Sequence, residues 1–266
     1  MLQYPGFNPI AIELGPVKVH WYGIMYLIGF AGAWWLARRR ASRPGSTWKP
    51  SDVDDLIFYD MLGVILGGRI GYVLFYGLEF WAKDKWYPFK IWEGGMSFHG
   101  GLLGVIAAMT LYAVRHRRNV ADVYDFTAPL PAFGLFFGRI GNFINGELWG
   151  KPTSVPWGFN VNGVVRHPSQ LYEACLEGIV LFTVIWWFSS KPRPRLSISG
   201  LFLLIYGISR FILEFVRLPD DHIGYLWEGW LTMGQVLSFP MIIMGLVFLF
   251  YAYRKRTPSG NFAVAQ

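Results

Sequence analysis

Long apolar runs separated by short polar segments occupy most of the chain. A helix needs ~20 predominantly apolar residues to cross a bilayer, and seven runs approach that length. We therefore predict an all-α integral membrane protein with seven transmembrane helices. The predicted spans are Trp21–Ala37, Leu56–Tyr76, Phe98–Val114, Ala121–Ile140, Gln170–Ser189, Ser197–Phe215 and Met233–Tyr253.

The fourth predicted span has an irregular pattern. It opens with Asp122 and Asp125, and Pro129 and Pro131 interrupt it. Proline removes a helical hydrogen bond, and broken backbone at membrane depth is tolerated only where protein or a watery cavity covers it. We therefore expect this segment to be kinked or re-entrant.

The segment between the fourth and fifth spans, residues 143–166, contains Gly, Pro, Asn and Trp but no helical period. Such a composition is typical of loops. We expect it to form a small periplasmic cap, inserted into a single polytopic membrane domain that covers residues 1–266.

The composition is that of a lipid-solvated chain. Charged residues make up 15% of the sequence, compared with about 25% in soluble domains. The single cysteine excludes a disulfide framework and a thiolate metal cluster. These observations favour a membrane protein over a soluble one.

Basic residues are distributed unevenly between the two ends of the spans. Fourteen of the 24 lie at one set of ends and six at the other. Loops rich in Lys and Arg face the cytoplasm, so we expect a periplasmic N-terminus and a cytoplasmic C-terminus. The same distribution accounts for the net charge of +7, and we expect no nucleic-acid partner. The fourteen are Arg38, Arg39, Arg40, Arg43, Lys49, Arg115, Arg117, Arg118, Lys191, Arg193, Arg195, Arg254, Lys255 and Arg256.

Four further basic residues lie inside or at the edge of the spans, and all four are arginine: Arg69, Arg139, Arg210 and Arg217. A guanidinium group offers a planar fork of donors that suits phosphate. Charges within a bilayer are costly and usually functional. Internal ion pairs that fix helix packing are the alternative, but four arginines without a lysine favour an anionic ligand.

A histidine marks the outer end of the third span, in the motif Ser97-Phe98-His99-Gly100-Gly101. Histidine can act as a general base at neutral pH. The adjacent glycines allow another backbone or a lipid headgroup to come close. A histidine that is simply hydrogen-bonded at the membrane interface is the alternative.

A longer motif, Gly138–Gly150, leaves the fourth span and enters the predicted cap. Arg139 and Asn142 are three residues apart and share a face if the helix persists. Asn145-Gly146 is a turn signal, and Glu147 follows it. The motif therefore predicts a cation, two amides and a carboxylate together at the outer membrane boundary.

The third motif, Arg166–Glu173, stands at the entry to the fifth span. Pro168 suits the first turn of a helix. His167, Ser169 and Gln170 are candidate binding residues, although side-chain capping of the helix is the simpler interpretation.

The fourth motif, Arg210–Arg217, lies near the end of the sixth span. Arg210, Glu214 and Arg217 are spaced i, i+4 and i+7, so the three charges share one helix face. Two arginines flanking one glutamate leave a surplus positive charge. This surplus favours phosphate binding over a purely structural role.

Taken together, these motifs and His20-Trp21-Tyr22-Gly23 resemble the phosphatidylglycerol–prolipoprotein diacylglyceryl transferase family of bacteria. The resemblance runs in order from about His20 to Tyr253. It implies an integral inner-membrane enzyme with seven helices that needs no metal, and we expect it to be a monomer without a cofactor. Such an enzyme transfers the diacylglyceryl group of phosphatidylglycerol to the lipobox cysteine of prolipoprotein signal peptides, forming a thioether and releasing glycerol phosphate. The positions it marks are Tyr22, His99, Arg139, Asn142, Glu147, Gly150, Arg210, Glu214 and Arg217.

The resemblance suggests a division of roles for this reaction. Arg139 and Arg210 would clamp the phosphate, with Glu214 and Arg217 orienting Arg210. His99 would help to deprotonate the substrate cysteine, although Tyr22 or a water could serve as the base instead.

Two other classes are less consistent with the sequence. A transporter of lipids or phosphorylated anions would also use intramembrane arginines, but no inverted internal repeat is visible. An intramembrane protease would need a serine–histidine pair or two membrane aspartates. Ser169 and His167 are the nearest approach, and residues this close at a helix entry do not face each other.

Overall fold

The computed structural model describes residues 2–15, 17–219 and 224–262, and most of them are helical. Two short 3-10 turns, Tyr87–Phe89 and Ile91–Glu93, precede the fourth helix. The helices of the described residues are α1 Trp21–Ala41, α2 Pro50–Tyr76, α3 Leu78–Lys83, α4 Phe98–Arg115, α5 Val120–Thr127, α6 Pro131–Asn145, α7 Ser169–Phe188, α8 Ser197–Leu213 and α9 Met233–Lys255.

Each predicted span corresponds to helix in the structure. The largest difference between a predicted and an observed helix boundary is at the start of α2. This helix begins at Pro50 instead of Leu56. Pro50 occupies the first helical position, where its missing N–H costs nothing. The Asp52 carboxylate accepts a hydrogen bond of 2.9 Å from the Lys49 backbone N–H, so polar residues begin this helix before its apolar run.

The fourth predicted span is broken into α5 and α6, as its sequence predicts. The break falls at residues 128–130, and Pro131 becomes the first residue of α6. The Asp125 carboxylate accepts hydrogen bonds from the backbone N–H groups of Leu196 and Ser199, at 2.7 and 2.8 Å. It therefore caps the start of α8.

Among the described residues, four helices are long and apolar enough to cross a membrane: α2, α4, α7 and α9. Helix α8 is apolar but shorter, with 17 residues. Only 17% of the most apolar window of α9 is buried, so its apolar side chains face outward, as they do in proteins solvated by lipid. A mostly helical membrane protein is confirmed, and the count of seven spans stays a prediction.

Two small sheets show that the all-α prediction was too strict. In the first, β1 Leu2–Gln3 pairs in parallel with β4 Phe159–Val161, which pairs antiparallel with β5 Val164–Arg166. The second is a hairpin of β2 Ile10–Leu14 and β3 Val17–His20. Strands of two to five residues are too short to show an alternating pattern, which is why the sequence did not predict them.

The chain divides into two compact units. The first comprises Met1–Leu36 and Asp125–Ser259, and the second comprises Ala37–Tyr124 and Gly260–Gln266. In the first unit, the break before α6 and the helices α6, α7 and α8 share a core of buried apolar side chains: Ala128, Ala132, Leu181, Ile185 and Ile198.

In the second unit, α2 and α4 pack closely through glycines. A Cβ atom on Gly63 would lie 2.6 Å from the Gly104 carbonyl oxygen, so a side chain there would push the helices apart. Small residues at such crossings allow membrane helices to pack tightly.

Candidate active site

Six charged side chains meet in the first unit. Arg139 lies in α6, and Glu173 and Glu177 lie in α7. Arg210 lies in α8, and Glu214 and Arg217 lie in the turn that follows it. Three guanidinium groups and three carboxylates give this cluster, which we call the arginine–glutamate cluster, a net charge of zero. Its members are Arg139, Glu173, Glu177, Arg210, Glu214 and Arg217.

Glu173 contacts all three arginines of the cluster. Its Oε2 lies 2.6 Å from Arg139 Nε, and its Oε1 lies 3.5 Å from Arg210 Nη1 and also accepts a hydrogen bond from Arg217 Nη1. The Glu173 side chain is 1% exposed. A buried charge is stable only when it is paired, so these contacts stabilise the carboxylate among the helices.

Glu177 bridges two of the same arginines from one turn further along α7. Its Oε2 lies 3.6 Å from Arg139 Nη2 and its Oε1 lies 3.6 Å from Arg210 Nη1. The side chain is fully buried. Among the described residues, neither carboxylate oxygen has a hydrogen-bond partner, so the two long ion pairs are its only polar contacts there.

Helix α7 is irregular where these glutamates lie. A π-helical segment, Ala174–Val180, begins directly after Glu173 and contains Glu177. Such segments are frequent at functional sites. A Cβ atom on Gly178 would lie 2.7 Å from Phe136 Cβ. Glycine at this position therefore allows α6, which carries Arg139, to approach α7.

Glu214 is held between α8 and the start of α9. Its Oε1 lies 2.9 Å from Arg210 Nη2 and 3.1 Å from Arg217 Nε, and its Oε2 accepts a hydrogen bond of 2.7 Å from Thr232 Oγ1. Thr232 is the N-cap of α9. A Cβ atom on Gly234 would overlap the Glu214 carboxylate, so the first turn of α9 fits closely against it.

For the fourth motif, the predicted proximity of its three charged residues is confirmed, and the predicted surplus of positive charge is wrong. Arg210, Glu214 and Arg217 contact one another, although α8 ends at Leu213 and Arg217 follows the turn. The surplus positive charge that was expected does not exist, because Glu173 and Glu177 of the neighbouring helix supply two more carboxylates.

The Gly138–Gly150 motif brings its amides and carboxylate together, as predicted. Asn142 Nδ2 donates a hydrogen bond of 2.8 Å to Glu147 Oε1, and Asn145 Nδ2 donates one of 3.4 Å to the same oxygen. Asn142 is buried, whereas Glu147 is exposed. The motif thus presents one carboxylate at the surface of the unit, and a buried amide fixes its position.

Tyr22 of α1 lies beside this motif. A Cβ atom on Gly141 would be 3.0 Å from Tyr22 Cδ2, so the tyrosine ring packs against α6. Its hydroxyl donates a hydrogen bond of 3.0 Å to the Tyr26 hydroxyl and interacts electrostatically with Glu147 and Arg139. The structure therefore brings Tyr22, Arg139 and Glu147 into one part of the first unit.

Gly150 is enclosed by backbone. Its N–H donates a hydrogen bond of 2.9 Å to the His167 carbonyl, and a Cβ atom there would lie 2.5 Å from the Val216 carbonyl oxygen and 2.9 Å from His167 Cβ. Lys151 N–H donates to the same Val216 carbonyl at 2.9 Å. Only glycine allows this close approach, which joins the predicted cap to the turn that carries Arg217.

The simpler interpretation of the third motif was wrong, because its side chains do not cap α7. Pro168 takes the N-cap position. Ser169 Oγ instead donates a hydrogen bond of 2.7 Å to the Leu148 carbonyl, and Gln170 Nε2 donates one to the Glu147 carbonyl. Both side chains are buried and hold the loop that carries Glu147.

His167 lies at the edge of this loop. Its Nδ1 is 3.2 Å from the Tyr172 hydroxyl, which also accepts a hydrogen bond of 2.7 Å from Trp157 Nε1. Partial burial lowers the pKa of His167 below its ordinary value. The imidazole is therefore neutral at pH 7.

His99 belongs to the second unit. It is the second residue of α4, and its side chain is exposed. Ser97 is the N-cap of this helix, and its Oγ accepts a hydrogen bond of 3.2 Å from the Gly100 N–H. His99 is thus held at the start of a well-capped helix.

Arg69, also in the second unit, does not fit the expectation that it binds an anionic ligand. All five N–H donors of its guanidinium group are directed at backbone carbonyls. Nε donates to Pro88 at 3.0 Å, and Nη2 donates to Tyr87 at 2.5 Å and to Lys90 at 3.0 Å. Nη1 donates to Gly94 and Gly95. Arg69 therefore organises the segment that leads into α4.

Sequence reasoning assigned no site role to three members of the site: Glu173, Glu177 and Thr232. Glu177 was overlooked, although an acidic residue within an apolar span is itself a functional signal. Thr232 was also missed. A capping-box pattern of Thr and Gln three residues apart marks it in the sequence, and Thr232 and Gln235 make both hydrogen bonds of that box.

Comparisons with known proteins show the family of this chain. A family model described as prolipoprotein diacylglyceryl transferase matches residues 9–251. Proteins named phosphatidylglycerol–prolipoprotein diacylglyceryl transferase are similar over nearly their whole length. One from Oleidesulfovibrio alaskensis is 56% identical over 96% of both chains. One from Nitratidesulfovibrio vulgaris is 59% identical over 92% of this chain and 95% of its own, and one from Pseudomonas aeruginosa is 54% identical over 96% and 97%. The chain therefore belongs to the prolipoprotein diacylglyceryl transferase family.

Proposed function

We propose that this protein transfers the diacylglyceryl group of phosphatidylglycerol to the lipobox cysteine of prolipoproteins, the first step of lipoprotein maturation. Family membership and the names of the relatives support this reaction. The structural observation that carries the proposal is the arginine–glutamate cluster, which places two partly exposed guanidinium groups within helices that have apolar surroundings.

The reaction is a displacement at the carbon of the diacylglyceryl group that bears the phosphate. The cysteine sulfur forms a bond to this carbon, the carbon–oxygen bond to phosphate breaks, and glycerol phosphate leaves with the bonding electrons. The thiol proton must be taken up, because the thiolate is the nucleophile. Negative charge therefore builds up on the phosphate as the bond breaks.

Arg139 and Arg210 are suited to oppose this charge. Their side chains are 18% and 19% exposed, so an anion can reach them. Arg139 uses its Nε and Nη2 groups for Glu173 and Glu177, and among the described residues no hydrogen bond or ion pair involves its Nη1 group. Preorganised donors of this kind stabilise a leaving group as its charge develops.

The other motif residues have supporting roles in this proposal. Glu214 and Arg217 orient Arg210. Tyr22, Asn142, Glu147 and Gly150 form the remainder of the substrate site. His167, Ser169 and Gln170 hold the loop that carries Glu147.

The proton acceptor is assigned on chemical grounds. His99 carries an imidazole, the side chain most often used as a general base, and it is exposed at a helix start. We therefore propose that it helps to deprotonate the substrate cysteine, with Tyr22 or a water as the alternative base.

The membrane placement in this proposal follows the distribution of basic residues. Seven spans cross the bacterial inner membrane, with the N-terminus and the cap, residues 143–166, in the periplasm and the C-terminus in the cytoplasm. The enzyme acts as a monomer in the lipid bilayer, on phosphatidylglycerol and a prolipoprotein signal peptide. It uses no metal, no cofactor and no nucleic acid.

The test uses the purified protein in detergent with phosphatidylglycerol and a lipobox peptide, followed by mass spectrometry. The peptide should gain the mass of a diacylglyceryl group, and glycerol phosphate should appear in equal amount. A peptide with serine in place of cysteine and the Arg139→Ala protein should both give no product. If phosphatidylglycerol binds but the peptide gains no mass, the proposal is wrong and lipid transport becomes the function to test.

A further inference from the structure

The two contacts of Glu177 are the longest ion pairs in the arginine–glutamate cluster. Its oxygens face different guanidinium groups, Arg139 on one side and Arg210 on the other, each at 3.6 Å. Glu173 and Glu214 each have at least one contact shorter than 3 Å. Glu177 is therefore the most loosely held carboxylate of the cluster and the most deeply buried.

Charge arithmetic shows why such a carboxylate matters. The three guanidinium groups are already neutralised by three carboxylates. A phosphodiester headgroup adds one negative charge, and the phosphate monoester formed when it leaves carries up to two. Without Glu177 the cluster would have a net charge of +1 and would hold both anions more tightly, because Coulomb attraction is strong where water is scarce.

We propose that Glu177 is a positioning residue that limits how tightly the cluster holds phosphate. It keeps Arg139 and Arg210 in place between α6 and α8, and its negative charge weakens their hold on the anionic substrate and on the anionic product. This inference rests on the proposed function, since it assumes that these two arginines bind the phosphate.

The substitution Glu177→Gln isolates this role. Glutamine has nearly the same shape but only one acceptor oxygen, so it can hold one guanidinium group and must turn an NH₂ group toward the other. The variant therefore removes one negative charge and one of the carboxylate contacts of an arginine that faces the ligand. Both changes strengthen anion binding, whereas loss of a purely structural contact would weaken it.

The experiment measures two quantities with the purified protein in detergent: the affinity for phosphatidylglycerol, and inhibition of the transfer reaction by added glycerol phosphate. For Glu177→Gln we expect each to become about tenfold stronger, which is the change that ~1.4 kcal/mol of binding free energy produces. Glu13→Gln is the matched control, because it removes the same charge from an exposed glutamate paired with Lys18, and it should change neither quantity.

Three results would overturn the inference. These are unchanged affinities in Glu177→Gln, weaker binding of both anions, and absence of the variant from the membrane, which would make Glu177 a residue needed only for folding. If the variant reaches the membrane but does not survive extraction, the same two measurements are made in membrane vesicles. The unaltered protein separates the two proposals: if it transfers no diacylglyceryl group the proposed function fails, and if it does, only the role of Glu177 is in question.

Discussion

At the scale of single residues, identical side chains have different roles according to their partners. Arg69 and Arg139 both lie in apolar helices, yet Arg69 directs its donors to backbone carbonyls and Arg139 pairs with carboxylates. In the sequence, the four arginines in or near the spans look alike. Only their contacts in the structure distinguish a structural arginine from arginines that can bind an anion.

Arg69 should be essential for stability and not for phosphate recognition. Lysine has three donors instead of five and lacks the planar fork, so Arg69→Lys leaves carbonyls between Tyr87 and Gly95 without partners. We expect a loss of about 2–4 kcal/mol in unfolding free energy, seen as a lower melting temperature in detergent. Arg38→Lys, at an exposed pair with Asp54, should cost less than about 1 kcal/mol. Equal melting temperatures for the two variants would contradict this assignment.

The role of His99 can be tested at the same scale. If His99 helps to remove the thiol proton, His99→Gln should lower turnover by on the order of 10²–10⁴ and leave phosphatidylglycerol binding unchanged. Transfer is followed by mass spectrometry and binding by lipid titration. Near-normal turnover would make Tyr22 or a water the better candidate for the base.

At the scale of elements, helix ends position the functional residues. The Tyr4 hydroxyl lies 2.9 Å from the Phe143 carbonyl and 3.0 Å from the Ile144 carbonyl, at the end of α6. Burial raises the pKa of Tyr4 above its ordinary value, so this hydroxyl stays a donor at neutral pH. The N-terminal segment thereby fixes the end of the helix that carries Asn142.

Removing this hydroxyl should affect activity more than stability. In Tyr4→Phe the ring still packs edge-on against Trp149, so we expect a cost of only about 0.5–1.5 kcal/mol. Transfer activity should fall several-fold, because the loop with Glu147 follows directly from the helix end. Tyr251→Phe, at a half-exposed tyrosine of α9, is the control and should behave as the unaltered protein in both assays. Unchanged activity in Tyr4→Phe would show that the N-terminal segment does not position this loop.

How much the sequence predicts depends on how local each feature is. Helices α4 and α9 begin where Ser97 and Thr232 cap them, and such signals lie within a few residues. The pairing of Glu177 with Arg139 and Arg210 is not local, because it depends on how α6, α7 and α8 pack together. The motifs therefore contain the three arginines that meet in the cluster, but they did not predict the charge of their surroundings.

At the scale of the whole molecule, the orientation in the membrane stays a prediction that labelling can decide. Both labelling variants also carry Cys175→Ser, which removes the natural cysteine. In Val164→Cys, at the exposed start of β5, the new thiol should react with a membrane-impermeant maleimide in spheroplasts. In Lys191→Cys, at an exposed position that follows α7, the new thiol should react only after the membrane is opened. The reverse pattern would invert the topology, and labelling of both sites would contradict the proposed number of spans between them.

The parallel pairing of β1 with β4 has a consequence for biosynthesis. Leu2 and Gln3 are synthesised long before Phe159 and Asn160, with which they pair, and more than half of the chain emerges in between. A contact between such distant segments forms late, because the entropy of closing the loop is lost before the contact stabilises anything. The loop with Glu147 leads directly toward β4, so the substrate site should become complete only after this pairing forms. Membrane insertion of the earlier helices and acquisition of activity are then separate events in the life of the protein.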